Sequence, residues 1–320
     1  MAHKFINEIA PGETINDIYL LNSPILRSTS RGDLYIAMYL SDRTGQLNSR
    51  MWQATEDIYN SLGKTGFVHI QGKSELYQNK LQIIVNNIAI ISPEKINSED
   101  FMPRTKKDTD KLFSEIKQIL TTIKNPQIKS LIEEYLNDDE LMVGFRAAPA
   151  AMKMHHGYLG GLIEHTHNML KAAQALLPLY PGLQHDLVIA GIFLHDLGKT
   201  QELEYDTGFS YSNSGQLIGH IVQGMIMLNQ KANNLASKNT RIDKNLLDTL
   251  GHIIISHHGK YEFGSPKLPA TPEAFMVCYL DDLDAKLNQV TNAVENDPGD
   301  SDWTDWKNSL QTRLFRKRIE

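Results

Sequence analysis

Cysteine is nearly absent: Cys278 is the single one in 320 residues, so no internal disulfide can form and a reducing compartment is the expected setting. No stretch approaches the roughly eighteen continuous apolar residues that a membrane span needs. Met1 to Glu13 also lacks an apolar core followed by small residues, so a cytoplasmic protein with no membrane association is expected. Basic charge is not in excess either. The formal net charge of -6 argues against the broad cationic surface of a tight, passive nucleic-acid binder. From residue 1 to 95, nine Lys and Arg balance nine Asp and Glu, so nucleic acid bound there would rely on stacking and a local groove. Repeats and low-complexity tracts are missing, and the length suits two domains, each able to bury a core.

What is present divides by period. Leu34, Ile36, Met38 and Leu40 alternate with Tyr35, Ala37 and Tyr39, which predicts a half-buried strand with one aliphatic and one aromatic face. Ser41 to Gly45 supplies turn chemistry, and Gln46 to Trp52 can return as the partner strand. A second hairpin is expected from Phe67 to Ile91, turning at Gln78-Asn79-Lys80, with a helical insert around Glu56 to Leu62 between the two hairpins. Four or five short strands of this kind suit a small closed barrel over residues 1–95. Residues 96–110 read as a linker, being polar apart from Pro103 and its neighbours. From there the apolar period becomes 3.6, first at Leu112, Ile116, Ile119, Leu120 and Ile123, then at Ile128, Leu131, Ile132 and Tyr135 after Pro126. Helical patterns are expected over 111–320, giving a multidomain α and β chain: a β-barrel followed by an all-α bundle.

The order of strands, with Asp42-Arg43-Thr44-Gly45 between the second and third, resembles the OB-fold of the anticodon-binding type. That resemblance implies nucleic-acid binding, with outward Tyr35, Tyr39, Trp52 and Tyr77 against bases and Arg27, Arg31 and Arg50 near phosphates. The same aromatics can equally serve to cover the barrel or to meet the second domain.

Most of the twelve histidines fall between residues 155 and 258, many of them inside apolar helical patterns where a polar ring needs a reason. The run Leu187 to Leu194 ends in His195-Asp196, an imidazole beside a carboxylate that can bridge two cations. Lys199 follows four residues after His195 and is expected on the same side of that helix, where its ammonium can meet a phosphate oxygen. His165 lies among Leu162, Met169 and Ala172, and His220 lies ahead of Ile221, Met225 and Leu228. His257-His258 closes an apolar stretch, and Asp281 shares a face with Ala274, Val277 and Cys278. Five helices are thus expected to aim metal-competent groups inward.

The order His165, His195-Asp196, His220, His257-His258, Asp281 resembles the HD phosphohydrolase superfamily in its two-metal form. Ala148-Pro149-Ala150-Ala151, His155 through His165, His195-Asp196-Leu197-Gly198-Lys199 and Ser256 to Gly259 resemble the YhaM-type 3′-to-5′ exoribonucleases, which join an OB domain to an HD domain. The resemblance implies that His165, His195, Asp196 and Asp281 hold one metal. Asp196 then bridges to a second held by His220 and His257, with His258 a further ligand. Asp282 or Asp284 takes the place of Asp281 if the last helix is rotated. His155 and His156 either line the substrate entry or cap a helix, and His156, Asp196 and Lys199 are the candidate catalytic residues. Imidazole with carboxylate favours Mn²⁺, Fe²⁺ or Co²⁺ over Mg²⁺. The implied reaction is release of nucleoside monophosphates from the 3′ end of single-stranded RNA, with single-stranded DNA as a further substrate. Two other readings compete: an HD hydrolase of small or cyclic nucleotides with a regulatory barrel, and a binding protein whose histidines hold a structural ion.

Overall fold

The computed structural model describes residues 3–29, 31–63, 65–78, 80–92, 96, 100–152, 156–205, 210–295, 297 and 301–317. The chain forms two compact units, one of residues 1–104 with 204–210 and one of 105–203 with 211–320.

The first unit holds β1 (Thr14–Ser28), β2 (Leu34–Asp42), β3 (Gly45–Trp52), the helix α1 (Glu56–Ser61), β4 (Thr65–Tyr77) and β5 (Lys80–Ile90). They close in the order β1-β2-β3-β5-β4, with β3 and β5 parallel and every other pair antiparallel. That is a five-stranded OB-type barrel. The alternation read from the sequence decides its inside: Tyr19, Leu21, Ile36, Met38, Leu40, Ile70, Ile83 and Val85 are buried together. Gly72 has a spatial reason, because a Cβ there would lie 2.3 Å from the carbonyl oxygen of Ile84, where the β4–β5 register shifts.

Within the expected linker 96–110, of which 97–99 lie outside the described residues, several residues are packed. Asp100 accepts a hydrogen bond from the backbone of Arg43, and Phe101 and Met102 are buried, Phe101 against Leu20 and Phe67. The few apolar residues in this polar stretch are enough to pin it. Asp108 then caps the next helix.

The second unit contains α2 (Thr109–Leu120), α3 (Pro126–Leu136), α4 (Asp139–Ala147), α5 (Gly161–Leu176), α6 (His185–Leu194), the short α7 (Lys199–Glu202), α8 (Asn213–Ile218), α9 (His220–Ser237), α10 (Lys244–Ser256) and α11 (Pro272–Glu295). Side-chain caps at Asp108, Asn125, Asp138 and Asp243 satisfy orphan amides at four of the starts. Eight consecutive residues of α6, Leu187 to Leu194, are buried, so this helix is enclosed on every side. The C-terminus departs from the helical expectation. Pro298-Gly299 follows α11. Residues 301–317 carry only isolated bridges, Trp303 with Phe315 and Lys307 with Thr312, and Asp297 pairs with both Lys307 and Arg316.

Candidate active site

Helix ends assemble the site. α6 and α10 finish at His195-Asp196 and His257-His258, α9 begins at His220, and α5 and α11 pass by with His165 and Asp281. The last carbonyls of a helix have no partner within it. His195 and His257 answer that need by donating from Nδ1 to the carbonyls of Ile192 and Ile254, each at 2.7 Å. Their Nε2 atoms then face inward.

Asp196 stands at the centre, 2% exposed. Its Oδ2 lies 3.3 Å from His195 Nε2, 3.9 Å from His165 Nε2 and 2.7 Å from Lys199 Nζ. Its Oδ1 lies 3.5 Å from His257 Nε2 and 3.6 Å from His220 Nε2, too far for good hydrogen bonds. Two ligand groups therefore flank one carboxylate: His165, His195 and Asp281 on one side, and His220, His257 and His258 on the other, the donor atoms of each group within 4.8 Å of one another.

The chemistry of this donor set fits divalent cations. Nε2 of His195, His220 and His257 and Oδ1 of Asp196 are buried without a hydrogen-bond partner, a cost that a folded protein rarely leaves uncompensated. Burial lowers the pKa of His257, and burial with the neighbouring His257 and Lys199 brings His258 down to about 4, so both rings keep their lone pairs at neutral pH. Asp196 is buried, which alone would raise its pKa, but Lys199 and His195 hold it well below the usual carboxylate range. For His165 burial opposes the charged ring, yet hydrogen bonding to Asp281 and Asp284 outweighs it and raises the pKa to about 9. A cation taking that position would displace a proton.

Several expected placements change. α6 stops at Leu194, and residues 195–198 form a turn before α7, so Lys199 does not share a continuous helix with His195. It is 7% exposed and ion-paired to Asp196, instead of standing open toward a phosphate. His156, expected either to line the substrate entry or to cap a helix, is buried, with Nε2 2.8 Å from Asp284 and Nδ1 2.8 Å from the Tyr158 hydroxyl. His155 lies outside the described residues. Asp281 is the acid that faces His165, at 3.2 Å, while Asp282 points outward to Lys286 and Asp284 backs His165. Glu202, against His220, went unnoticed because nothing in its sequence context marks it; Asp284 was visible only as an alternative ligand.

On the barrel, pairing aligns Arg27 with Tyr35, Tyr35 with Trp52, and Ala37 with Arg50, so these side chains share the outer face. The rings of Tyr35 and Trp52 are 4.9 Å apart, and the Arg50 guanidinium lies 5.8 Å from the Trp52 ring and 5.3 Å from that of Tyr77. Tyr39 is exposed four residues beyond Tyr35 on β2, and Arg31 is exposed in the β1–β2 turn.

Residues 162–286 match the HD domain family model, a span that runs from just before His165 to just past Asp284. The chain is 33% identical over 308 residues to the 3′-5′ exoribonuclease YhaM of Bacillus subtilis (strain 168), covering 96% of this chain and 95% of that protein. The chain belongs to the YhaM family. The YhaM of Shouchella clausii (strain KSM-K16) is 34% identical over 309 residues, covering 96% of this chain and 94% of its own length. Among solved structures, the second OB-fold domain of replication protein A from Methanococcus maripaludis matches 28% of this chain and 95% of its own, at 24% identity and a TM-score of 0.23. With an HD domain and YhaM relatives along nearly its whole length, the chain is a hydrolytic nuclease. No helix among the described residues is long and apolar enough to cross a membrane.

Proposed function

We propose that the protein is a metal-dependent 3′-to-5′ exoribonuclease that shortens single-stranded RNA to nucleoside monophosphates, and that it also accepts single-stranded DNA. The observation that carries this reading is the pair of ligand groups on either side of Asp196, with the partnerless ring nitrogens of His195, His220 and His257 turned toward its carboxylate. His165, His195, Asp196 and Asp281 would hold one cation, and Asp196, His220, His257 and His258 a second. Mixed imidazole and carboxylate donors suit Mn²⁺, Fe²⁺ or Co²⁺. Two divalent cations there supply charge neutralisation for a phosphodiester and acidify water. Once the His165 proton is displaced, Asp196 and Asp281 bring two negative charges against the one positive charge of Lys199, a balance that favours cation binding. Lys199 keeps Asp196 ionised, and burial of Asp196, His195 and His257 keeps these groups from bulk water.

Tyr35, Trp52 and Tyr77 offer stacking faces for bases, with Arg27, Arg31 and Arg50 beside them for phosphates. Sequence-independent grip of this kind suits an enzyme that cuts successive residues from one strand. The domain arrangement proposed is thus a strand-binding barrel and a phosphohydrolase bundle.

The test is incubation of 5′-labelled single-stranded RNA with the protein and Mn²⁺. Stepwise shortening from the 3′ end is expected. An intact strand or one internal cut overturns the exonuclease reading, and hydrolysis confined to free or cyclic nucleotides replaces it with the small-nucleotide one.

A further inference from the structure

The inward histidines are aimed by two different devices. His195 and His257 close helices, so carbonyls of their own last turns hold Nδ1. His165 has no such recourse. It sits in the first half of the sixteen-residue α5, where the carbonyls are already taken by the helix. Nor does His220, the first residue of α9, which has no earlier turn of its own helix to donate to. Both rings therefore need a carboxylate from elsewhere, and each has one.

Asp284 of α11 lies 2.7 Å from His165 Nδ1 through Oδ2, the same oxygen that meets His156 Nε2 at 2.8 Å. Its Oδ1 accepts from the Asn168 amide at 3.0 Å. Asn168 is itself oriented, because its carbonyl oxygen accepts from Lys107 Nζ at 3.0 Å, which turns the amide nitrogen toward Asp284. Lys107 also pairs with Glu164 at 3.0 Å, and Glu164 accepts from Thr105 and from Tyr158. On the other side of Asp196, Glu202 Oε1 accepts from both the backbone amide and Nδ1 of His220, each at 3.0 Å.

His156, His165 and Asp284 also have ligand-like spacing, but separations of 2.7 and 2.8 Å are hydrogen-bond lengths with a proton between the atoms. This trio holds a ring.

Resting on the two-cation reading above, we propose that Asp284 and Glu202 are positioning residues, one behind each cation position. Asp284 fixes His165, Glu202 fixes His220, and Lys107 with Asn168 holds Asp284 in place. Each carboxylate selects the tautomer that carries its proton on Nδ1, leaves the Nε2 lone pair facing inward and makes that nitrogen more basic.

The experiment is calorimetric Mn²⁺ titration of the full-length wild type, D284N, E202Q, D284N/E202Q and K107M, with melting temperature and RNA turnover at rising Mn²⁺ as companion readouts. Wild type is expected to take up two ions. D284N and E202Q should each weaken one of them by about 10- to 100-fold while leaving the other. The double variant should weaken both, and K107M should weaken the same ion as D284N by less. Excess Mn²⁺ should restore turnover in every single variant, which a merely structural defect would not allow. Two ions bound at wild-type affinity by D284N and E202Q overturn the proposal, as does, with an active wild type, a loss of turnover in a single variant that excess Mn²⁺ cannot restore. If D284N fails to fold, E202Q and K107M decide the matter by the same criteria. A wild type that takes up no Mn²⁺ overturns both this proposal and the metal-dependent reading. Two ions bound, one lost in each variant, and RNA left intact would uphold the positioning roles and sink only the nuclease assignment.

Discussion

Replacing Gly198 with alanine tests whether the site is as tightly built as its distances imply. Gly198 has ordinary helical dihedrals, φ -58° and ψ -22°, so its backbone does not demand glycine. Space does. A Cβ there would stand 2.0 Å from the carbonyl oxygen of His220 and 2.9 Å from the amide of Gly224, where 3.4 Å is ordinary contact. The backbone opening α9 must therefore retreat by about 1.4 Å, carrying His220 away from Asp196. Overpacking of this kind costs roughly 1–3 kcal/mol. At about 2–4 °C per kcal/mol for a unit this large, the melting temperature should fall by roughly 2–12 °C. A fold with about 5–15 kcal/mol of stability survives that at 25 °C. Misplacement by about 1 Å at a reacting centre, however, costs on the order of 100-fold in rate. G198A should thus stay folded at 25 °C while losing about two orders of magnitude in turnover of labelled RNA. Gly182 has no atom near its would-be Cβ, so G182A is the control and should match wild type in both measurements. Wild-type turnover in G198A would refute the claim that the start of α9 is pressed against the turn after His195-Asp196.

Asp196→Asn should lose affinity for both cations, read by metal analysis of the purified protein, and turnover should fall by roughly 10²–10³-fold or more; retention of two bound ions would contradict the bridging role. Chelation with EDTA should abolish RNA shortening and added Mn²⁺ should restore it; activity that survives exhaustive chelation would exclude metal dependence. Trp52→Ala removes a stacking face worth about 1–3 kcal/mol per base, so affinity for a long single strand should drop by roughly 5- to 150-fold with little change in hydrolysis of a dinucleotide; equal losses on both would argue that the barrel face does not hold the strand. In the barrel, His3 lies 3.3 Å from Asp17 and 3.4 Å from Asp42. Burial opposes its charge, but Asp42 and Asp17 outweigh burial and raise its pKa above 6.5, so its stabilisation is full below pH 6.5 and fades as pH rises through the raised value. Asp42 is lowered by the same contacts against burial, so its share is present above pH 3.8 and fades only as pH falls through its depressed value. The melting difference between wild type and His3→Gln should therefore be larger at pH 6 than at pH 9, and an unchanged difference would rule out the ion pair.

The barrel was legible because its two faces obey period two: Ile36, Met38 and Leu40 went inside and Tyr35 and Tyr39 outward, as alternation requires. The convergence of His165, His195, His220 and Asp281 was legible because polar rings in apolar helical stretches need partners, and the stretches themselves are strongly patterned. What escaped were features set by tertiary contact. The end of the apolar run at His195-Asp196 was visible, but not that residues 195–198 turn away from the helix, which puts Lys199 in a buried ion pair instead of on an open helix face. Whether His156 lines an entry or caps a helix could not be decided locally, because its partners Asp284 and Asn288 come from α11, 128 and 132 residues away. Asp281, Asp282 and Asp284 could not be ranked, since single-residue helix rotation decides which of three clustered acids faces inward.

Because the rings of His195 and His257 are locked by the carbonyls that end their own helices, they are already oriented before any ion arrives. Loading the centre then requires little loss of side-chain freedom, since the rotamers were frozen when the chain folded. It also makes each of these two histidines a terminator of its helix, so exchanging either for alanine would fray a helix end as well as remove a donor. A histidine-to-alanine scan would therefore overstate their share in cation capture relative to His165 and His220, whose anchors lie on other segments of the chain.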